Sequence, residues 1–242
     1  MQLDGVINLN KPPRMTSRQA VDRVKRILKA PKAGHGGTLD PDATGVLLVC
    51  LGKGTKLFDQ LQQGTKEYEG TLKLGITTDT LDAGGRVEQV SDVGQVTAEG
   101  IRVIAQQFVG EIEQTVPMFS AVKHKGKRLY KLARQGVALD DLPKRTVHVK
   151  SLEILSVCLP DVRFRVVCSK GTYIRVLAAD IGAALECGAH LSQLTRTRSG
   201  DFTLESSHTL NWLEEQPSRA YEAVVPVDVV FGMGVGTASS TN

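Results

Sequence analysis

The chain of 242 residues is short of several things that would have settled its character at once. It has four cysteines, Cys50, Cys158, Cys168 and Cys187, and no pair has C-x-x-C spacing. Neither a zinc knuckle nor a thioredoxin-type redox site is indicated. Three of the four sit in apolar runs, and they read as buried free thiols in a reducing compartment. The five histidines, His35, His124, His148, His190 and His208, show no metal-ligand spacing. No stretch approaches the roughly 18 uninterrupted apolar residues of a membrane span. Met1-Gln2-Leu3-Asp4 lacks the basic and apolar regions of a secretion signal, so a cytoplasmic protein is expected. Nucleotide and metal loops are missing too. Gly52-Lys53-Gly54-Thr55-Lys56 lacks Walker spacing, no G-x-S-x-G occurs, and Asp79 to Val90 opens like a calcium loop but has no terminal Glu. No cofactor and no metal are expected. Aromatics are only 5%, so the core must be mainly Val, Leu, Ile and Ala.

What is present is ordinary globular composition, with 41% hydrophobic and 23% charged residues. The length fits one domain of about 200 residues with an appendage, or two small domains. Gly5 to Leu9 reads as a short strand ended by Lys11-Pro12-Pro13. Ser17 is placed to cap a helix running to about Lys29, with Ala20, Val21, Val24, Ile27 and Leu28 on one stripe. Gly45 to Cys50 is an apolar run of buried type, and a helix is expected from about Lys53 to Gln62. Tyr68, Gly70, Leu72 and Leu74 alternate on one strand face, and Asp82-Ala83-Gly84-Gly85 signals a hairpin turn. Further expectations are a helix over 97–108, strands over 146–159 and 162–169, and a helix over 172–187 stopped by Gly188. No internal repeat and no strong linker is visible. The sequence therefore predicts one α+β domain over 1–230 around a mainly antiparallel sheet, with 200–230 a short C-terminal extension. The uncharged, Gly/Ser/Thr-rich end, 231–242, reads as a disordered tail.

Net charge is only +4, but it is unevenly placed. Between Ser120 and Lys150 lie Lys123, Lys125, Lys127, Arg128, Lys131, Arg134, Lys144, Arg145 and Lys150, opposed only by Asp140 and Asp141. That segment carries +7 and leaves −3 for the rest of the chain. Such a concentration suits a polyanion partner, with affinity falling steeply with salt, or is simply a solvated lysine-rich surface. The basic residues of the first helix, Arg23, Lys25, Arg26 and Lys29, are equally open between surface decoration and phosphate contact.

The sharpest local feature is Gly34-His35-Gly36-Gly37-Thr38-Leu39-Asp40-Pro41-Asp42-Ala43-Thr44-Gly45. Glycine lets backbone approach a ligand, and Pro41 pushes Asp40 away from helical geometry. A carboxylate on such a loop serves as nucleophile or base, or the segment is only a turn. This loop, continuing through Val46 to Gly52, closely resembles the catalytic motif of the TruB family of tRNA pseudouridine synthases. The resemblance extends to Lys11-Pro12 with Thr16-Ser17 and Val24-Lys25-Arg26, to Gly75-Ile76-Thr77-Thr78-Asp79-Thr80-Leu81-Asp82-Ala83-Gly84, and to Val116 through Lys123 with Gly126-Lys127 and Tyr130. Gly171-Thr172-Tyr173-Ile174-Arg175 and Gly188-Ala189-His190-Leu191 follow in the same order, so that roughly residues 5–200 are covered. Arg14 departs from the family's usual Gly, and Phe119 from its usual Tyr.

The resemblance implies the pseudouridine synthase fold with a thumb-like RNA-holding insertion. It also implies isomerisation of the T-loop uridine, conventionally position 55 of tRNA, after the base is flipped out. Asp40 is then the catalytic carboxylate, with Asp42 its rival in the variable position after the proline. Arg175 is the cation paired with the catalytic Asp, and His35 approaches the RNA near the flipped base. Tyr68 stacks on the base, Tyr173 lines the uracil pocket, and Leu194 is the pocket leucine. Lys123, Lys127 and Arg128 are candidate phosphate contacts. At about 100° per residue, Tyr173 and Arg175 share a face only if the Tyr lies at an irregular helix entrance. The expected partner is the tRNA T-arm, bound by a monomer with no membrane and no protein partner. The alternatives are the catalytic subunit of a guide-RNA pseudouridylation particle and an RNA chaperone or binding protein of the same fold.

Overall fold

A computed structural model of the chain describes residues 3–233 except 138 and 140. The first stretch runs β1 (Gly5–Lys11), α1 (Ser17–Ile27), β2 (Ala33–His35), β3 (Thr44–Leu51), a 3-10 turn over Gly52–Leu57 and α2 (Phe58–Gln63). The middle holds β4 (Lys66–Leu74), β5 (Ile76–Thr78), β6 (Val87–Val90), α3 (Ala98–Gln106), β7 (Gly110–Thr115), β8 (Lys123–His124), β9 (Lys127–Arg128) and α4 (Leu129–Arg134). Two long strands follow, β10 (Lys144–Cys158) and β11 (Asp161–Cys168), then α5 (Ile174–Ala184) and β12 (Ala189–Ser199). The last part is β13 (Phe202–Thr203), β14 (His208–Thr209), α6 (Leu210–Glu215), α7 (Pro217–Ala220), β15 (Val225–Pro226) and α8 (Val227–Met233).

These elements form two compact units, one of residues 3–67 with 195–233 and one of residues 68–194. Both chain crossings fall inside strands, β4 and β12, rather than in linkers. That is why no composition shift marks them in the sequence. Residues 231–233 of the expected tail close α8, and 234–242 lie outside the described residues.

In the first unit β1 pairs antiparallel with β3 over its whole length, and β3 pairs parallel with the end of β12 at Thr195 and Arg196. Val6, Val46, Leu48, Cys50, Leu57, Phe202 and Val230 pack as one cluster. α1 buries Ala20, Val21, Val24 and the following Leu28, the predicted stripe, with Ile27 half-buried. Each such Val or Leu contributes about 1.5–3 kcal/mol by leaving water. The cap differs from expectation. Thr16, not Ser17, is the N-cap, in a capping box with Gln19. The predicted helix over 53–62 opens as the 3-10 turn and becomes α-helical only at Phe58.

In the second unit the strand order is β12, β4, β11, β10, β7, with β10 antiparallel to both neighbours. β4 alternates strictly between buried and half-buried residues, as its sequence predicts. Gly70 is part of that pattern, because a side chain there would strike the Phe164 ring. α3 packs on β10, and α5 on α3 and β7. β8, β9 and α4 form an insertion between β7 and β10. The architecture is α+β, mainly antiparallel sheet with flanking helices. Cys50, Cys168 and Cys187 are buried free thiols and Cys158 is exposed; burial pushes the Cys50 thiol up to about 12.

Candidate active site

Asp40 lies on the loop between β2 and β3, and three buried side chains fix that loop's backbone within the first unit. Lys11 is fully buried, and its Nζ donates to the carbonyls of Pro12 (2.9 Å), Met15 (2.6 Å) and Pro41 (2.8 Å). Ser17 Oγ accepts from Leu39 N and donates to Leu39 O, both at 2.9 Å, clamping the residue before Asp40. Arg196, 1% exposed, donates from Nε to Val46 O at 2.7 Å, and more loosely from Nη1 to Thr38 O (3.5 Å) and Nη2 to Gly37 O (3.3 Å). Gly45, at φ 95°, lies so close to the Arg196 backbone that a Cβ would run into its carbonyl. Ala43 N donates to Asp40 O at 3.2 Å, and Met15 N to Pro41 O at 3.2 Å. Asp40 is half-buried on this frame, whereas its rival Asp42 is exposed with Thr38 and Pro41.

The electrostatics follow from two cations under the loop. Burial lowers the Lys11 pKa to about 8; the Asp42 and Asp40 carboxylates oppose that shift, and Arg196 adds to it. His35 is also held below its usual value, first by burial, with the Gly37 backbone opposing and Arg196 and Arg18 adding. Its imidazole is therefore neutral at neutral pH. Lys11, Ser17 and Arg196 carry no local sequence signal of these roles, since their nearest partners on the loop lie 30, 22 and 158 residues away.

Tyr68, Tyr173, Arg175 and Leu194 belong to the second unit. Tyr173 is the N-cap of α5, at φ −95° and ψ 106°, outside the regular helix as the shared-face requirement demanded. Gln114, 1% exposed on β7, holds it there: Tyr173 N donates to Oε1 at 2.9 Å, and Nε2 donates to Tyr173 O at 3.1 Å. The Arg175 guanidinium lies 5.9 Å from the Tyr173 ring centroid, and Arg145 lies at the same distance. Arg175 is buried, donates from Nη2 to Phe119 O at 2.8 Å, and pairs through Nη1 with Asp82 Oδ2 at 3.4 Å. Asp82 Oδ1 in turn accepts from Thr80 Oγ1 (2.6 Å) and Gly84 N (3.0 Å), so the turn between β5 and β6 orients the carboxylate. In the sequence Asp82 reads as a turn residue within the Gly75–Gly84 motif, with no partner indicated, and Gln114 carries no signal. Tyr68 lies on the buried face of β4 at 8% exposure, and Leu194 is half-buried in β12.

Lys123, Lys127 and Arg128 are exposed on the β8–β9 hairpin, where Lys123 pairs with Arg128 and His124 with Lys127. The turn residues Lys125 and Gly126 both have positive φ, the requirement of a tight two-residue hairpin. None of the three cations forms an ion pair among the described residues. No group of three or more His, Cys, Asp or Glu stands in position to hold a metal among those residues.

Residues 25–174 match the family described as TruB family pseudouridylate synthase, N terminal domain, and residues 175–231 match the tRNA pseudouridylate synthase B C-terminal domain. The chain is 48% identical over 230 residues to tRNA pseudouridine synthase B of Burkholderia mallei (strain NCTC 10247), a match covering 95% of this chain and 76% of the relative. The same enzyme name belongs to a relative in Thiobacillus denitrificans (strain ATCC 25259 / T1), 47% identical over 227 residues, with 93% and 76% covered. Among solved structures, a chain of a Cbf5-Nop10-Gar1 complex superposes with a TM-score of 0.75 at 36% identity, covering 96% of this chain and 62% of that one. A chain of an H/ACA RNP bound to a substrate RNA containing 2'-deoxyuridine gives a TM-score of 0.69 at 35% identity, covering 94% and 57%. This chain thus spans less than two thirds of those two longer chains. With both family domains matched in order over residues 25–231, the chain belongs to the TruB family of pseudouridylate synthases.

Proposed function

We propose that this chain is a tRNA pseudouridine synthase that isomerises the T-loop uridine at position 55. The observation that carries this reading is the loop of Asp40, whose backbone is held in place by the buried side chains of Lys11, Ser17 and Arg196. Identity of 48% over nearly the whole chain to tRNA pseudouridine synthases supports the tRNA substrate. The particle subunit is supported more weakly, by 36% identity to a chain only 62% of which is covered.

The chemistry needs few groups. The bond from ribose C1′ to uracil N1 breaks, the base turns, a bond forms from C1′ to C5, the C5 proton is lost, and the freed N1 ends protonated, so that product and substrate are isomers. No electrons are gained or lost overall and no group is donated, so no redox or carrier cofactor is called for. A base within folded RNA must be flipped out, at a cost of a few kcal/mol. Stacking on an aromatic such as Tyr68 returns about 1–3 kcal/mol. Asp40 supplies the reacting carboxylate; His35, Tyr173 and Leu194 contact the nucleoside, and Arg175 supplies the fixed positive charge. The hairpin cations Lys123, Lys127 and Arg128 hold the RNA backbone. The chain acts as a monomer in the cytoplasm, without a protein partner.

The test is release of tritium from tRNA transcript labelled at uridine C5, with no guide RNA present. Asp40→Asn is expected to abolish release while the unfolding temperature and tRNA binding stay near those of the parent. Retained turnover would refute the assignment of Asp40, and turnover only with added guide RNA would favour the particle subunit.

A further inference from the structure

Among the described residues five other than glycine have positive φ: Arg14 (57°), Lys29 (49°), Leu81 (64°), Lys125 (47°) and Glu186 (59°). Four have an ordinary cause. Lys29 and Glu186 follow the C-caps of α1 and α5, where helices commonly end in a left-handed residue. Leu81 and Lys125 sit in the turns of the β5–β6 and β8–β9 hairpins. Arg14 sits in neither setting. It lies exposed in the segment between β1 and α1, in a conformation that favours Gly, Asn or Asp over every other residue.

The place of that segment is well defined. Lys11 Nζ ties down the carbonyls of Pro12 and Met15, on either side of Arg14. Met15 N donates to Pro41 O at 3.2 Å. The Arg14 Cα, two bonds from that nitrogen, is therefore within roughly 6 Å of the Pro41 carbonyl. The neighbouring loop carries Asp40 and Asp42, so a phosphate backbone approaching it meets two like charges. Lys11 and Arg196 do not meet the phosphates, because both are buried and their N–H groups are turned to carbonyls. Arg18 is exposed but gives its Nε to Asp22 at 3.0 Å. Arg14 forms no ion pair among the described residues.

We propose that Arg14 is an RNA-backbone contact beside the Asp40 loop: a cation kept at a backbone position suited to glycine because it meets a phosphate of the bound RNA. This rests on the functional reading above, and it assigns a substrate contact at a residue where family resemblance predicts none. Retaining a conformationally disfavoured residue at a functional site is a known pattern.

Lys29→Gly provides a matched control, since it removes the same charge and the same left-handed side chain at the other end of α1. Affinity for unmodified tRNA transcript is measured for the full chain in an Asp40→Asn background at 50 and 200 mM salt. Arg14→Gly is expected to lower the slope of log affinity against log salt by about 0.7–0.9, the share of one phosphate contact. The ratio of affinities at the two salt concentrations then falls about threefold. Arg14→Lys keeps the parental slope, Lys29→Gly leaves it unchanged, and Arg14→Gly unfolds no lower than the parent. An unchanged slope in Arg14→Gly, or an equal fall in Lys29→Gly, overturns the proposal. Absence of tRNA binding and turnover in the parent protein would instead remove the functional reading on which it rests.

Discussion

Ser17→Ala removes one oxygen and tests how the Asp40 loop is held. In the folded protein that oxygen serves both polar groups of Leu39, and both residues are buried, at 3% and 4% exposure. The substitution leaves a buried N–H and a buried C=O without their partner, and each such loss costs about 1–3 kcal/mol. The two losses together come to about 2–6 kcal/mol, partial relaxation toward solvent keeps the total in the lower half of that sum, and alanine's better helix propensity returns about 0.5 kcal/mol. The net expectation is a loss of about 1.5–3.5 kcal/mol, or about 3–14 °C in unfolding temperature for a chain of this size. Because Leu39 precedes Asp40, the turnover number is expected to fall more than tenfold while KM for tRNA changes little, since a small misplacement of a reacting group is costly. Urea unfolding and steady-state tritium release measure the two effects. A Ser17→Ala protein within about 0.5 kcal/mol of the parent, with full turnover, would refute the clamp.

Two further outcomes follow from the buried charges. Asp82→Asn keeps an acceptor for Thr80 and Gly84 but removes the charge 3.4 Å from Arg175, so single-turnover rates should fall about ten- to hundredfold, the kinetic equivalent of about 1.4–2.8 kcal/mol; an unchanged rate would remove Asp82 from the site. For Lys11, whose pKa in the fold is about 8 against an ordinary 10.5, the unfolded chain holds more protons between those values, so stability rises with pH there. Relative to Lys11→Met, the parent should gain up to about 3 kcal/mol between pH 8 and 10.5 in urea unfolding, and a difference flat across that window would contradict the buried charge.

Local signals were read well where one residue's neighbours in sequence are also its neighbours in space. The alternation over Tyr68 to Leu74 and the stripe on α1 are of this kind, because strand and helix periods place side chains without outside help. The loop of Asp40 was visible through its glycines and Pro41. Thr16 and Ser17 show the limit: adjacent hydroxyls are both able to cap, and only the Gln19 partner three residues on distinguishes Thr16. Ser17 was then free for Leu39, a contact no window of sequence displays. Gln114 under Tyr173 and Asp82 beside Arg175 are 59 and 93 residues from their partners. β12 gives no strand signal because Thr195-Arg196-Thr197-Arg198 looks like surface, yet Arg196 is among the most buried side chains described. A buried arginine whose hydrogen bonds end on carbonyls has no compositional signature.

The 150-residue separation between Arg196 and the Val46 carbonyl it holds also orders events in time. A ribosome adding about 5–20 residues per second needs roughly 8–30 s to go from the one to the other. During that interval the nascent chain already displays its carboxylate loop but has no guanidinium to seat it. Seating of the Asp40 loop therefore arrives late in synthesis, and a transcript truncated before codon 196 would yield a polypeptide that carries the loop and lacks one of the groups that hold it.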